Sequence, residues 1–528
     1  MTAPLRPTAP PPAAPPPDTP PPAASWVSAP WLVALAALTL LRVLVAGLTP
    51  LSPDEAYYWV WSRAPAPGYL DHPPMVAAWI AAGTALAGEG ALGVRLLGPL
   101  SAAAGSLLLA HAAQGLFPGR GAGVRAAVLL NATLLLGVGA VTMTPDTPLV
   151  LFWTAALWAL VRVLRTGRGA WWLAVGVAAG GALLSKYTGV LLGLGILVWL
   201  AWVPPLRRWL RDPWPYAGAA VALGLFAPVV AWNAGHDWAS FAKQGGRAGD
   251  WNPAEALRHL SELLGGQIGL ATPLVFALFV AGSLAAARRL PARDPAWSLL
   301  AALILPGAAV FVQHALGDRV QGNWPGILYP AAAVAAGALH GRLWHRLCRP
   351  AAALGFALTG VVYVQAVAAP VPLPRRLDPS LARLAGWPDL ARAADGLRAR
   401  EGGAYLAAES YALASELAWH APPGVAVLGV EERWRLFDLP RPGDAGPAGD
   451  AGRAGLLLQS TRRSEPPDPA YWRDVREVGR LTRARAGVVA EEYRVYRVTR
   501  REDAPAAVLP RPARARPLPA HPPEMTPR

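Results

Sequence analysis

The chain has 528 residues, of which 54% are hydrophobic and only 15% charged, and its formal net charge is +15. A soluble domain carries about a quarter charged residues. The deficit here falls between residues 30 and 370, where apolar runs of bilayer-crossing length recur between short polar loops, which excludes an ordinary soluble enzyme. The basic residues sit in short loops and in the C-terminal part, so nucleic-acid binding is not needed to explain the charge, and a single cysteine, Cys348, rules out an intrachain disulfide.

Residues 1–28 are rich in Pro and Ala and lack the pattern of a cleavable leader, so they read as a disordered tail. Eleven transmembrane helices are expected over 30–48, 91–116, 122–141, 146–163, 170–184, 189–204, 215–233, 265–285, 296–314, 324–340 and 351–369. The segment 72–88 is apolar but opens on His72-Pro73-Pro74 and is interrupted by glycine, so it reads as a helix lying in the interface. Loop charge gives the chain a hand. Alternate loops carry Arg120 and Arg125, then Arg162, Arg165 and Arg168, then Arg207, Arg208 and Arg211, and so on to Arg349, whereas the opposite loops hold Asp54, Glu55, Asp71, Glu89, Asp146, Asp237 and Asp318. Basic loops stay in the cytoplasm, so the N-terminus is expected there and the acidic loops outside. The composition turns soluble after 370. Strands over 403–408 and 424–430, a helix over 410–420, and further strands at 456–458 and 493–498 suggest a small extracytoplasmic α/β domain spanning 371–502. A Pro/Ala/Arg tail over 503–528 is expected to be disordered.

The acidic loops hold the site candidates. Asp54 and Glu55 fall in the first turn of a helix opened by Ser52-Pro53, where the helix dipole favours them. Asp71 lies nearby and could cap the 72–88 helix. Asp146 could cap another, and His72 could ligate a metal or simply pack. Acids at a bilayer face are costly unless partnered or functional. Lys186 and Lys243 are the two lysines of a chain that otherwise uses arginine. Lys186, at the outer end of a helix, could snorkel or bind an anion.

The stretches DEAYYWVWSR (54–63), GYLDHPPM (68–75), TPDTPLVLFW (144–153), LLSKYTG (183–189) and QGNWPGILYPA (321–331) resemble bacterial members of glycosyltransferase family 39. That family is related to the dolichyl-phosphate-mannose protein mannosyltransferases and to the aminoarabinose transferase that modifies lipid A. The resemblance runs in order through residues 30–370, taken as one transmembrane glycosyltransferase domain (29–370), and ESYALASELAWH (409–420) extends it. It implies an α-helical GT-C fold in the bacterial inner membrane and transfer of a sugar, with inversion, from a polyprenyl-phosphate donor of the undecaprenyl type. The acceptor would be extracytoplasmic: lipid A, another envelope lipid, a glycan or a protein.

Carried onto this chain, the resemblance makes Asp54 the general base, with Glu55 beside it. Were the acceptor itself a phosphate, no base would be needed, and Asp54 would orient the acceptor or a metal. Asp71, His72, Asp146 and Asn323 become acceptor or substrate contacts, and Lys186, Arg247 and Arg319 become partners of the donor phosphate. A divalent ion held by Asp71 with His236 and His314 is a further option, although the spacing forms no recognisable metal motif. A polytopic transporter or a flippase of lipid-linked sugars would share the membrane architecture. A transporter would show repeated halves and mid-helix charges, whereas no internal repeat is visible here and Arg42 and Arg95 are the exceptions inside or near spans.

Overall fold

A computed structural model describes residues 28–119, 121–245, 251–442 and 452–513. Arg247, most of the N-terminal tail and residues 514–528 lie outside the described residues.

The N-terminal part is a helix bundle. Helix α1 (Ala29–Leu48) is followed by the short α2 (Pro53–Arg63), α3 (Met75–Ala87), α4 (Ala91–Arg95) and α5 (Leu97–Leu116). Next come α6 (Ala122–Asn131), α7 (Leu134–Gly139), α8 (Asp146–Thr166), α9 (Trp171–Ser185) and α10 (Val190–Trp202). The bundle continues through α11 (Pro213–Ala234), α12 (Ala239–Gly245), α13 (Pro253–Ala271), α14 (Pro273–Arg288), α15 (Pro295–Ala315), α16 (Tyr329–Gly337) and α17 (Arg342–Ala368). Among the described residues seven helical segments are long and apolar enough to cross a bilayer, and the chain is a multi-pass membrane protein.

These seven fall on seven of the eleven expected spans. The other four expected segments take different forms. The 122–141 segment breaks into α6 and α7. Helix α9 has 15 residues and α16 has 9. The 189–204 segment becomes α10 and a 3-10 turn over Pro204–Arg211, bent by 117°. The expected 265–285 span straddles a joint: Thr272 adopts φ 68° between α13 and α14, and the apolar span runs from Pro273. Small residues set the close helix crossings. A Cβ on Gly176 of α9 would collide with the carbonyl of Gly218 on α11, the small-residue contact that membrane helices use in place of a hydrophobic driving force.

The C-terminal part holds α18 (Pro379–Leu384), α19 (Trp387–Arg400), β1 (Tyr405–Ala408), α20 (Tyr411–His420), β2 (Ala426–Val430), β3 (Ala454–Ser460), β4 (Trp472–Arg485), β5 (Val488–Arg500) and β6 (Ala506–Val508). They form one sheet in the order β4-β5-β3-β1-β2-β6. The central strand β1 runs parallel to both β2 and β3, and the other pairings are antiparallel. Strand β6 corrects the expectation that everything after 503 is a disordered tail, because Ala506–Val508 pairs with Val430–Leu428. The long edge strand β4 and the helices α18 and α19 were not anticipated.

The two parts share a core. Tyr57, Trp59, Trp61 and Tyr69 of the bundle lie in one buried cluster with Trp419, Trp434 and Phe437 of the C-terminal part. Trp59 meets Trp419 edge-on at 4.9 Å, and Tyr57 meets Tyr411 at 4.5 Å. These aromatics seat the sheet-bearing part on α2.

Candidate active site

The first acidic segment is held by Glu55. Its carboxylate accepts from the backbone N–H and hydroxyl of Ser52, both at 2.9 Å, reaching back to the N-cap of α2. It also receives both ends of the Arg95 guanidinium, at 2.5 and 2.6 Å, and the N–H of Met143 at 2.9 Å. Arg95 in turn donates to the carbonyls of Ala46, Thr49 and Pro50. Both side chains are fully buried. Burial alone would raise the Glu55 pKa, but Arg95 and these donors hold it below the usual carboxylate value. Glu55 was expected as the catalytic neighbour of Asp54; its lone pairs are committed inward, and its geometry is that of an anchor fastening α2 to α1, α4 and the 140s loop.

Asp54 points the other way. It keeps a third of its side-chain surface exposed and receives Arg383 at 2.6 Å and the Tyr411 hydroxyl at 3.3 Å, both from the C-terminal part. Asp71 accepts from Lys243 at 2.6 Å, Arg433 at 3.0 Å and the Tyr57 hydroxyl at 3.0 Å. It does not cap the following helix, whose N-cap is Pro74. Burial works against its charge, yet Arg433 and Lys243 bring its pKa below the ordinary value. Arg433 also lies over the Tyr411 ring at 4.2 Å. Asp146 is likewise not an N-cap: Pro145 is. Its carboxylate receives Lys186 at 2.8 Å and Asn323 at 2.5 Å.

His72 and Tyr58 lie among these groups, their rings 6.3 Å apart. Burial pushes the His72 pKa down to about 4, and Lys186, Asp71, Asp146 and Lys243 all act on it, so the imidazole is neutral at neutral pH. The Tyr58 hydroxyl is pushed well up by burial and by both Asp54 and Asp71. Asp54, Asp71, His72, Asp146, Lys186 and Asn323 therefore gather at one face of the bundle. Arg319 does not join them, since it pairs with Glu262 of α13 at 3.0 Å and is largely exposed. Among the described residues no group of three or more His, Cys, Asp or Glu is placed to hold a metal ion. His236 bonds the Trp232 carbonyl at 2.7 Å and stacks on that ring, so it does not meet Asp71 and His314 in a shared site.

Arg383, Tyr411 and Arg433 were missed. They lie some 300 residues downstream in a part with no obvious site motif, and the one signal available was the ESYALASELAWH stretch that contains Tyr411.

Glu416 in that stretch is fully buried on α20, with its carboxyl 3.5 Å from His420 Nε2. Burial raises its pKa well above the ordinary value, more than Arg483 lowers it, and Glu55 raises it further. The folded state thus holds a proton that the unfolded chain releases above about pH 4.3. Stability from this group is present below that pH and declines as pH rises. Glu416→Gln is expected to unfold at a higher temperature than the wild type, by roughly 1–3 kcal/mol of stability at pH 8. The gap should narrow toward pH 5. Thermal melts of the detergent-solubilised protein check this, and a gap that is constant with pH would contradict a protonated Glu416.

The helical bundle with a sheet-bearing C-terminal part shares the GT-C fold of the solved structures it is similar to. The profile of the dolichyl-phosphate-mannose-protein mannosyltransferase family matches residues 71–232. The lipid A galacturonosyltransferase RgtD of Rhizobium johnstonii is 28% identical over 314 residues, a match that spans 58% of this chain and 64% of that relative, just under two thirds of its length. The crystal structure of ArnT from Cupriavidus metallidurans in the apo state superposes with a TM-score of 0.59 at 16% identity, covering 88% of this chain and 98% of ArnT. The same protein bound to undecaprenyl phosphate gives a TM-score of 0.58 at 16% identity, covering 89% of this chain and 98% of ArnT.

Proposed function

We propose that this protein transfers a sugar from a polyprenyl-phosphate donor to an acceptor in the cell envelope, at the face where the acidic loops and the C-terminal part meet. The observation that carries the proposal is the charge constellation there. Three carboxylates (Asp54, Asp71, Asp146) stand among four cations (Arg383, Arg433, Lys243, Lys186), and Glu431 pairs with Arg433 as well, so four cations meet four acids. A lipid phosphate leaving group needs cations within reach of the departing oxygen. Lys186 is the phosphate partner in this reading. Asp146, itself held by the Asn323 amide, keeps its ammonium in place, and an arriving phosphate shares it with Asp146.

Asp54 is the base. It is the most exposed of the three acids, and Arg383 and Tyr411 orient it while leaving surface open to an acceptor hydroxyl. Removing that proton as the acceptor oxygen attacks the anomeric carbon, with the lipid phosphate departing from the opposite side, gives inversion. Asp71, held by Lys243, Arg433 and Tyr57, frames the acceptor side with neutral His72. Basic loops in the cytoplasm would place this face outside a bacterial inner membrane. That RgtD acts on lipid A and that ArnT binds undecaprenyl phosphate support the donor and acceptor classes. Neither these relatives nor the family profile supports the transporter alternative.

Mass spectrometry of envelope lipids, glycans and proteins from a deletion strain tests the proposal. The expected result is loss of one sugar mass from an envelope species and accumulation of a polyprenyl-phosphate sugar, both reversed by the intact gene. An unchanged envelope with no donor accumulating would rule the transferase reading out.

A further inference from the structure

The C-terminal part contains a cavity of about 300 Å³, large enough for a monosaccharide phosphate. Its position follows from sheet topology. The chain leaves β1 through α20 to reach β2 on one side, whereas β3 lies parallel to β1 on the other. The carboxyl ends of β1 and β3 thus flank a switch point, where open α/β sheets bind ligands. Ser410, just after β1, and Gln459 and Ser460, at the end of β3, line the cavity there.

Three observations define what it would hold. Ser410 is the N-cap of the ten-residue α20 but makes no side-chain capping bond, so the first-turn amides face the cavity without that cap, a ready anion site. Four arginines (Arg375, Arg383, Arg463, Arg483) line it against two glutamates (Glu409, Glu491), and Arg383 is also paired with Asp54, which leaves one positive charge over. Gln459 is 95% buried, its exposure being 5%, and neither the oxygen nor the nitrogen of its amide has a hydrogen-bond partner. A buried, unmatched amide is costly, and a sugar can satisfy it because a hydroxyl both donates and accepts. Pro53 also lines the cavity, and Arg383 reaches from it to Asp54 at 2.6 Å.

We infer that this cavity is a recognition subsite for a phosphorylated sugar at the head of the acceptor, with the phosphate at the α20 N-terminus and a hydroxyl on Gln459. Its placement as an acceptor subsite rests on the transfer reading above. Binding of the sugar phosphate does not, so the two can fail separately.

Glucosamine 1-phosphate, titrated into the full-length detergent-solubilised protein and read by calorimetry, tests it. Glucosamine and inorganic phosphate are titrated separately. The sugar phosphate should bind more tightly than either fragment. Gln459→Leu, which removes the amide at nearly constant volume, should weaken it about tenfold. Ser410→Asp should weaken it at least as much by placing an anion at the phosphate position, and it keeps a good N-cap, so it remains informative if Gln459→Leu unfolds. A micellar glycolipid headed by glucosamine phosphate should displace the probe. Undiminished binding in both cavity variants, no saturable binding, or inorganic phosphate binding as tightly would overturn the site. Failure of the glycolipid to compete would overturn its assignment to the acceptor.

Discussion

Asp54→Asn is expected to lower sugar transfer by about 10²–10⁴-fold, the range a positioned general base supplies, while the protein still binds its polyprenyl-phosphate donor and unfolds at an unchanged temperature. The substitution keeps the shape of the side chain and its place beside Arg383 and Tyr411. What it removes is the capacity to take a proton from the acceptor. Initial rates with the reconstituted protein, together with a donor-binding titration, separate the two effects. A variant that transfers at the wild-type rate would end the assignment of Asp54 as base. A variant that loses donor binding in step with rate would make Asp54 a donor contact instead.

Arg95→Met is expected to destabilise the protein by about 3–5 kcal/mol, because it strands the buried carboxylate of Glu55 without its charge partner. The loss also releases three backbone carbonyls from α1 and the following turn, those of Ala46, Thr49 and Pro50. Glu55→Gln combined with Arg95→Met removes both charges and should recover part of the loss, since two neutral groups leave no orphan ion. The melting temperatures of the two single variants and the double variant give the coupling. Additive losses would show that the pair acts as two separate contacts and not as one joint. Transfer by the double variant should fall further than its stability does, because α2 carries Asp54 one residue before the anchor.

Much of the bundle was legible in the sequence because a bilayer imposes length and apolarity on whatever crosses it. Helices α1, α8, α11 and α15 begin and end within a few residues of the expected spans. The breaks were harder to see. Nothing in the run 265–285 announces that Thr272 takes a left-handed backbone, and in 122–141 the joint is marked only by Asn131 and by Thr133, the N-cap of α7, within an otherwise apolar run. In the sheet, β1, β2, β3 and β5 carry buried apolar residues and showed themselves. Strand β4, with the sequence WRDVREVGRLTRAR, is an edge strand with half of its residues exposed and only two buried, so it lacks the alternation that marks a half-buried strand. At the site, the residue types were readable and the pairings were not. Asp54 and Glu55 are adjacent and chemically alike, and only the fold shows that the first faces an open cleft and the second a buried arginine. The cations were partly hidden for a different reason: Arg383 and Arg433 are two among many arginines in the C-terminal part, with no local feature to set them apart.

The aromatic core shared by α2 and the C-terminal part has a consequence for biosynthesis. Tyr57 and Trp59 emerge early from the ribosome, but Trp419, Trp434 and Phe437, which bury them, emerge more than 350 residues later. Until then the helix that carries Asp54 has only its bundle neighbours, such as Tyr69, against its large apolar face, and Asp54 itself lacks Arg383 and Tyr411. The helices can enter the membrane one after another as they are made, while the charge constellation waits for the last third of the chain to reach the same side and settle. A chain released early would leave a membrane-inserted bundle without a finished active site, and an exposed aromatic face by which a cell's quality-control proteases could recognise it.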